Sequence, residues 1–135
     1  MTKYSAYGTA LKCGTVEIAQ VTSISGPGIS LDTVDVTEHD GDGWEEVVPT
    51  ILRSGEVTLE IAYDPAAATH KNASGGLLFD LAQRAKSAYT LTFPTTPAAS
   101  WTFNAYVTGF EPSAPVDGAL TASVTLKITG AVTLP

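Results

Sequence analysis

Residues 55–63, GEVTLEIAY, contain the clearest strand pattern of this 135-residue chain. Val57, Leu59 and Ile61 fall on one side, and polar residues stand between them. This strict alternation predicts a β-strand with one face on a hydrophobic core. The pair Asp64-Pro65 ends the strand, because proline has no N–H to donate to a neighbouring strand.

The same alternation recurs on both sides of this strand and accounts for most of the chain. It covers residues 15–24, 29–37, 89–93, 101–110 and 119–129. The last of these places its apolar residues inside: Leu120, Ala122, Val124, Leu126 and Ile128. In residues 15–24, the apolar positions shift by one residue between Ile18 and Ala19, which predicts a β-bulge or a change of partner surface.

One segment follows a helical period. In residues 74–86 the apolar side chains Leu77, Leu78 and Leu81 recur at helical spacing, and Ser74 is suited to cap the first turn. Six or seven strands and one helix predict a mainly β fold, a β-sandwich or open barrel with one flanking α-helix. We expect residues 1–135 to form a single domain.

Residues 38–54, EHDGDGWEEVVPTILRS, show no strand periodicity and predict a long loop between two strands. Loops beyond about 12–15 residues are uncommon in compact domains unless they are functional. This one is both acidic and apolar, and it cannot cover its own apolar side chains. Trp44 could pack back onto its own sandwich as a plug, but the other apolar residues of the loop need cover too, which favours an interface anchor. We therefore expect the loop to bind another copy of the chain, with these interface residues: Asp40, Asp42, Trp44, Val47, Val48, Ile51, Leu52 and Arg53.

The composition disfavours several classes of function. The net charge is −7, with only seven scattered Lys and Arg residues, whereas a nucleic-acid-binding surface needs clustered basic residues. No apolar run approaches the ~18–20 residues that cross a bilayer. The first residues lack the order of a secretory signal, so we expect synthesis and folding in the cytoplasm.

No residues form a convincing catalytic or metal-binding set. Cys13 is the single cysteine, and His39 and His70 are the two histidines. Asp40-Gly-Asp42 resembles the opening of a calcium loop, but Glu45 and Ile51 stand where that loop needs glycine and glutamate. We expect no enzyme activity and no cofactor.

A ligand-binding β-sandwich is the alternative from a different class. Trp44, Trp101 and Tyr106 would form a stacking platform for a carbohydrate, and the Asp-Gly turn would hold calcium.

The sequence also resembles a known family along nearly its whole length. The most specific segments are ISGPGISLDTVDVT at 24–37, the Asp-Gly-Trp44 loop ending at Gly55-Glu56, and GFEPSAPVDG at 109–118. They are similar to the major tail tube proteins of long-tailed, non-contractile, siphovirus-type bacteriophages.

The resemblance implies a structural protein of the virion tail. Such proteins form a β-sandwich with a flanking helix and assemble as hexameric rings stacked into a tube, through which phage DNA passes without specific binding. It implies that residues 38–54 join rings and that 1–14 and 130–135 are flexible terminal arms. Partners would be other copies of the chain and the tape measure, tail terminator and tail tip proteins. A secretion-system tube protein is a related alternative.

Overall fold

The computed structural model describes residues 3–39, 41, 43–95 and 97–135. These residues form nine strands and one helix. In chain order they are β1 Ala10–Cys13, β2 Val16–Glu17, β3 Val21–Ser25, β4 Ser30–Asp35, β5 Val47–Arg53, β6 Glu56–Ala62, α1 Leu77–Gln83, β7 Lys86–Phe93, β8 Ala99–Ser113 and β9 Thr121–Thr133.

Seven of the strands form one antiparallel sheet in the order β2-β1-β7-β8-β9-β6-β3. The sheet curls into a half-barrel, which we call the barrel. The long pair β8 and β9 forms its centre, with Val107 opposite Leu126. The mainly β prediction with one flanking helix is therefore confirmed.

The alternating residues predicted to be inside supply the core of the barrel. Through residues 57–61 of β6, 103–107 of β8 and 122–128 of β9, every second side chain is buried, while those between them are half-buried or exposed. The buried hydrophobic residues are Leu11, Ile18, Val57, Leu59, Ile61, Leu77, Tyr89, Leu91, Phe103, Ala105, Val107, Ala122, Val124, Leu126 and Ile128. Leu120, predicted inside, lies outside the strand and is 40% exposed.

The phase slip near Ala19 marks the point where the chain changes partner strands. The Ile18 N–H donates to the Leu11 carbonyl, whereas the Gln20 carbonyl accepts from Ala62 N–H, each at 2.9 Å. Gln20 has a φ of 58°, which turns the chain between the two pairings. One continuous segment therefore connects both edges of the curled sheet.

Two buried side chains hold this crossing in place. The Thr69 hydroxyl accepts from Ala19 N–H at 3.0 Å, and His70 Nε2–H donates to the Ala19 carbonyl at 2.7 Å. His70 Nδ1 accepts from Asp64 N–H at 3.3 Å, so both ring nitrogens bind backbone. His70 is completely buried and serves the fold.

The helix is shorter than the predicted 74–86. It begins after Gly76, without a side-chain cap, so the prediction of Ser74 as N-cap was wrong. The Leu77 N–H instead donates to the Thr69 carbonyl at 2.9 Å, which ties the first turn to the preceding loop. Lys86 already belongs to β7, opposite Tyr106. In the described part of the chain, no helix has the length and apolarity needed to cross a membrane.

Parts of both predicted terminal arms belong to the sheet. Within 1–14, β1 pairs with β7 and Leu11 is fully buried. Within 130–135, β9 continues to Thr133, opposite Thr102. The prediction of flexible arms was therefore wrong for these strand residues, because β7 and β8 offer edges that pair with them.

The prediction of a strand-free loop at 38–54 was also wrong at its C-terminal end. Residues 47–53 form β5, which pairs with β4 in a separate two-stranded sheet. Pro49 hides this strand in the sequence, yet proline is tolerated on edge strands, and both strands of a two-stranded sheet are edges.

Candidate assembly surface

We call residues 29–54 the projecting hairpin. They comprise β4, the connecting residues 36–46, and β5. Leu31 lies opposite Leu52, and Val34 lies opposite Val48. This hairpin belongs to no larger sheet in the described structure, and an isolated two-stranded sheet is marginal in water.

Apolar side chains occupy both faces of the projecting hairpin. The register and its irregularity between Leu31 and Thr33 place Leu31, Val47 and Leu52 on one face. The other face carries Val34, Val48 and Ile51. These six side chains are between 46% and 71% exposed. Side chains of this kind are stabilised by burial, at about 25 cal/mol per Å² of apolar surface, and here neither face is covered.

Polar contacts within the hairpin maintain its shape. Arg53 Nε lies 2.8 Å from Asp32 Oδ2, and the Thr50 hydroxyl donates to the Asp32 carbonyl at 3.1 Å. At the other end, Asp35 Oδ1 accepts from the Thr37 hydroxyl at 2.6 Å and from the Thr37 N–H at 2.9 Å. These hydrogen bonds lower the pKa of Asp35.

A close crossing of two glycine segments forms the base of the hairpin. Gly55 has a φ of 74°, and a side chain there would collide with the Gly28 carbonyl. The Ile128 N–H donates to the Gly55 carbonyl at 3.3 Å, and the Ser54 hydroxyl binds the Gly130 carbonyl. The base is thus attached to β9, while the apolar strands extend beyond it.

The structure brings together most of the predicted interface residues. Trp44 lies in the connecting segment with 76% of its surface exposed. The remaining members in the described structure belong to β5: Val47, Val48, Ile51, Leu52 and Arg53. Asp40 and Asp42 lie outside the described residues. The assembly role of this set stays a prediction.

Sequence reasoning missed the contribution of β4 to this surface. The alternation of residues 29–37 was interpreted as a strand of the main fold, yet Leu31 and Val34 are each about half exposed. The turn signal Ser25-Gly26-Pro27-Gly28 before it was the available clue that the chain leaves the barrel there.

The stacking platform of the alternative function does not form. Trp101 packs edge-on against Phe93, with ring centres 6.3 Å apart. Tyr106 lies on the opposite face of β8, since alternate residues of a strand face opposite ways. Trp44 is on the projecting hairpin. The described residues hold no group of three or more side chains suited to a metal ion.

Cys13 is packed beside α1 rather than presented for chemistry. Burial, and then the nearby carboxylate of Asp80, raise the pKa of its thiol. Asp80 is itself buried and accepts from the Ser87 hydroxyl at 3.1 Å. A raised pKa disfavours the reactive thiolate, so the thiol has a packing role.

The fold is similar to subunits of several phage-like tubes. One is in an extracellular contractile injection system, the PVC sheath/tube terminator in the extended state (TM-score 0.75, 21% identity, covering 100% of this chain and 98% of that one). Another is in the virion of a native gene transfer agent (TM-score 0.76, 13% identity, 98% and 99% coverage). A third is in the SPP1 tail tube (TM-score 0.60, 11% identity, 94% and 76% coverage).

No curated protein matches the sequence. The family model described as lambda phage tail tube protein matches residues 3–135. This match covers nearly the entire sequence and agrees with the fold. The chain therefore belongs to the lambda phage tail tube protein family, and it is a structural component of a phage tail.

Proposed function

We propose that this tail tube protein assembles into stacked hexameric rings, and that the projecting hairpin makes the contacts between copies. The protein acts by self-association rather than catalysis. The tube then forms the conduit through which DNA leaves the virion.

The observation that carries this proposal is the apolar surface on both faces of the hairpin. A monomer gains nothing from holding Leu52 and Ile51 in water, whereas a neighbouring copy covers them. The internal ion pair of Arg53 with Asp32 gives the hairpin a defined shape before binding. A preformed strand pair loses less conformational entropy on binding than a disordered loop.

The comparisons support a hexameric ring and a terminator partner. One similar chain belongs to the tail of an empty gene transfer agent particle with C6 symmetry, and another to a cap that terminates a tube. We propose equivalent terminator partners for this protein, together with the tape measure and tail tip proteins. The net charge of −7 disfavours adhesion of DNA phosphates to the channel.

Substitutions in the projecting hairpin test this proposal. Trp44→Ala, and separately the double variant Ile51→Ser/Leu52→Ser, should leave a folded monomer but abolish tubes in negative-stain electron microscopy. Val116→Ser is the matched control, because Val116 is fully exposed in the β8–β9 connection and lies outside the hairpin.

Two results would contradict the proposal. One is tube formation by the hairpin variants at wild-type concentration. The other is strong protection of residues 43–54 from hydrogen exchange in dilute monomer, which would mean that the same molecule already covers the hairpin.

A further inference from the structure

A second apolar surface lies beside β3 and the end of β7. It is a groove of about 830 Å³, formed by three segments of the chain. Residues 4–9 line it, together with β3 and with Leu91 and Phe93 of β7. We call this surface the groove. Among the described residues of the projecting hairpin of the same molecule, none lines it.

The groove and β5 share an unusual electrostatic property. The described residues that line the groove include no charged side chain, although the chain carries a net charge of −7. Residues 47–52 of β5 are uncharged as well. Most contacts between two copies of an acidic chain bring like charges together, whereas a contact between the groove and residues 47–52 would avoid that repulsion.

The distribution of charge also selects which part of the hairpin fits. The connecting segment carries Glu38, Glu45 and Glu46, and these carboxylates would be desolvated in an uncharged apolar groove. Residues 47–52 of β5 carry no charge and have no such penalty. The strand therefore matches the groove, and the acidic connection lies beyond it.

The strand β5 is long enough to run along β3. β3, which lines the groove, has five residues and β5 has seven, which correspond to about 17 and 23 Å of extended chain. β3 is also the last strand of its sheet, so its outer edge pairs with no other strand in the described structure. Such edges are commonly covered by a segment of another chain.

We propose that the groove of one copy receives residues 47–52 of β5, on the projecting hairpin of the next copy. This inference rests on the proposed self-assembly and names the surface that the hairpin binds. The hairpin and the groove are different surfaces of one molecule. Their contact is heterologous, and repeated heterologous contacts generate rings or open-ended assemblies such as a tube.

Cysteine cross-linking in assembled tubes tests the contact. The background is Cys13→Ala, which removes the single native thiol. Tyr7→Cys places a thiol at the groove, because Tyr7 lines it and is 93% exposed. This substitution is combined either with Ile51→Cys or with Leu52→Cys, which lie on opposite faces of the hairpin. When tubes of the two double-cysteine variants are oxidised, at least one variant should give a ladder of disulfide-linked multimers.

The matched control pairs the same hairpin cysteines with Val116→Cys, which is exposed but does not line the groove. It should give no ladder. Intact tubes in which neither Tyr7 pair exceeds this control would overturn the groove inference while leaving self-assembly standing. A disulfide formed within single chains would overturn it too, because the hairpin would then occupy its own groove.

A charge placed in the groove gives a second test that needs no cross-link. Tyr7→Glu should leave the melting temperature unchanged and raise the protein concentration required for tubes by tenfold or more, because a carboxylate would be buried against apolar strands. Val116→Glu should assemble as wild type does. Equal assembly of the two variants would exclude the groove as the binding surface.

Discussion

The barrel and the projecting hairpin consist of the same kind of residues, yet only the barrel covers them. In the barrel, Leu59 and Leu126 are at most 1% exposed, because they pack in the hydrophobic core of the curled sheet. In the hairpin, the equivalent side chains Leu31 and Leu52 are 50% and 71% exposed. Strand-forming sequence therefore produces local structure in both regions, but only the barrel completes a core within one chain.

Shortening one leucine in each region should separate their roles most strongly. Leu59→Ala should lower the free energy of unfolding by about 2–5 kcal/mol, because it leaves a cavity among packed neighbours. Leu52→Ala should change it by no more than about 0.5 kcal/mol, as is usual for surface positions. Urea denaturation of both variants measures the difference.

The assembly of these two variants should follow the opposite order. At a temperature where both are folded, Leu59→Ala should still form tubes and Leu52→Ala should form them poorly. Equal losses of stability would show that Leu52 is packed against the barrel, and the contrast between the two regions would then be wrong.

An intermediate effect is expected from His70, which holds the crossing at Ala19 in place. His70→Ala removes the hydrogen bonds to the Ala19 carbonyl and the Asp64 N–H, and leaves both half-buried groups without this partner. We expect a loss of about 2–4 kcal/mol in the free energy of unfolding. His39→Ala is the control, because His39 is exposed on the hairpin. Equal stability of the two variants would show that the crossing at Ala19 does not depend on His70.

The sequence predicted the barrel better than the hairpin for a physical reason. Val57, Leu59 and Ile61 alternate because one face of their strand meets a core, and alternation is what a single sequence can reveal. In β5, both faces carry apolar side chains and Pro49 interrupts the run, so no period of two appears. When a second molecule covers the other face of a strand, the two faces no longer differ in polarity, and the alternation that predicts a strand is lost.

The interface residues could be predicted in part for a related reason. Trp44, Val47 and Leu52 stood out because apolar residues in a long connection require cover. Leu31 and Val34 were missed, since their alternation is the same whether the cover comes from the barrel or from another molecule. The groove was not predictable, because residues 4–9, β3 and β7 meet only in the folded chain.

The smallest effect concerns the turn that shapes the hairpin. Hydrogen bonds from Thr37 lower the pKa of Asp35 below its reference value of 3.8. The ionised carboxylate stabilises the turn fully above that value, and the stabilisation is lost as the pH falls through the lower folded pKa. An NMR titration should show the Thr37 amide resonance moving below pH 3.8.

Thr37→Val should return the titration midpoint of Asp35 toward its ordinary value. An Asp35 midpoint at or above that value in the wild-type protein would show that the turn is not formed in the free subunit, and that the hairpin takes its shape only on assembly.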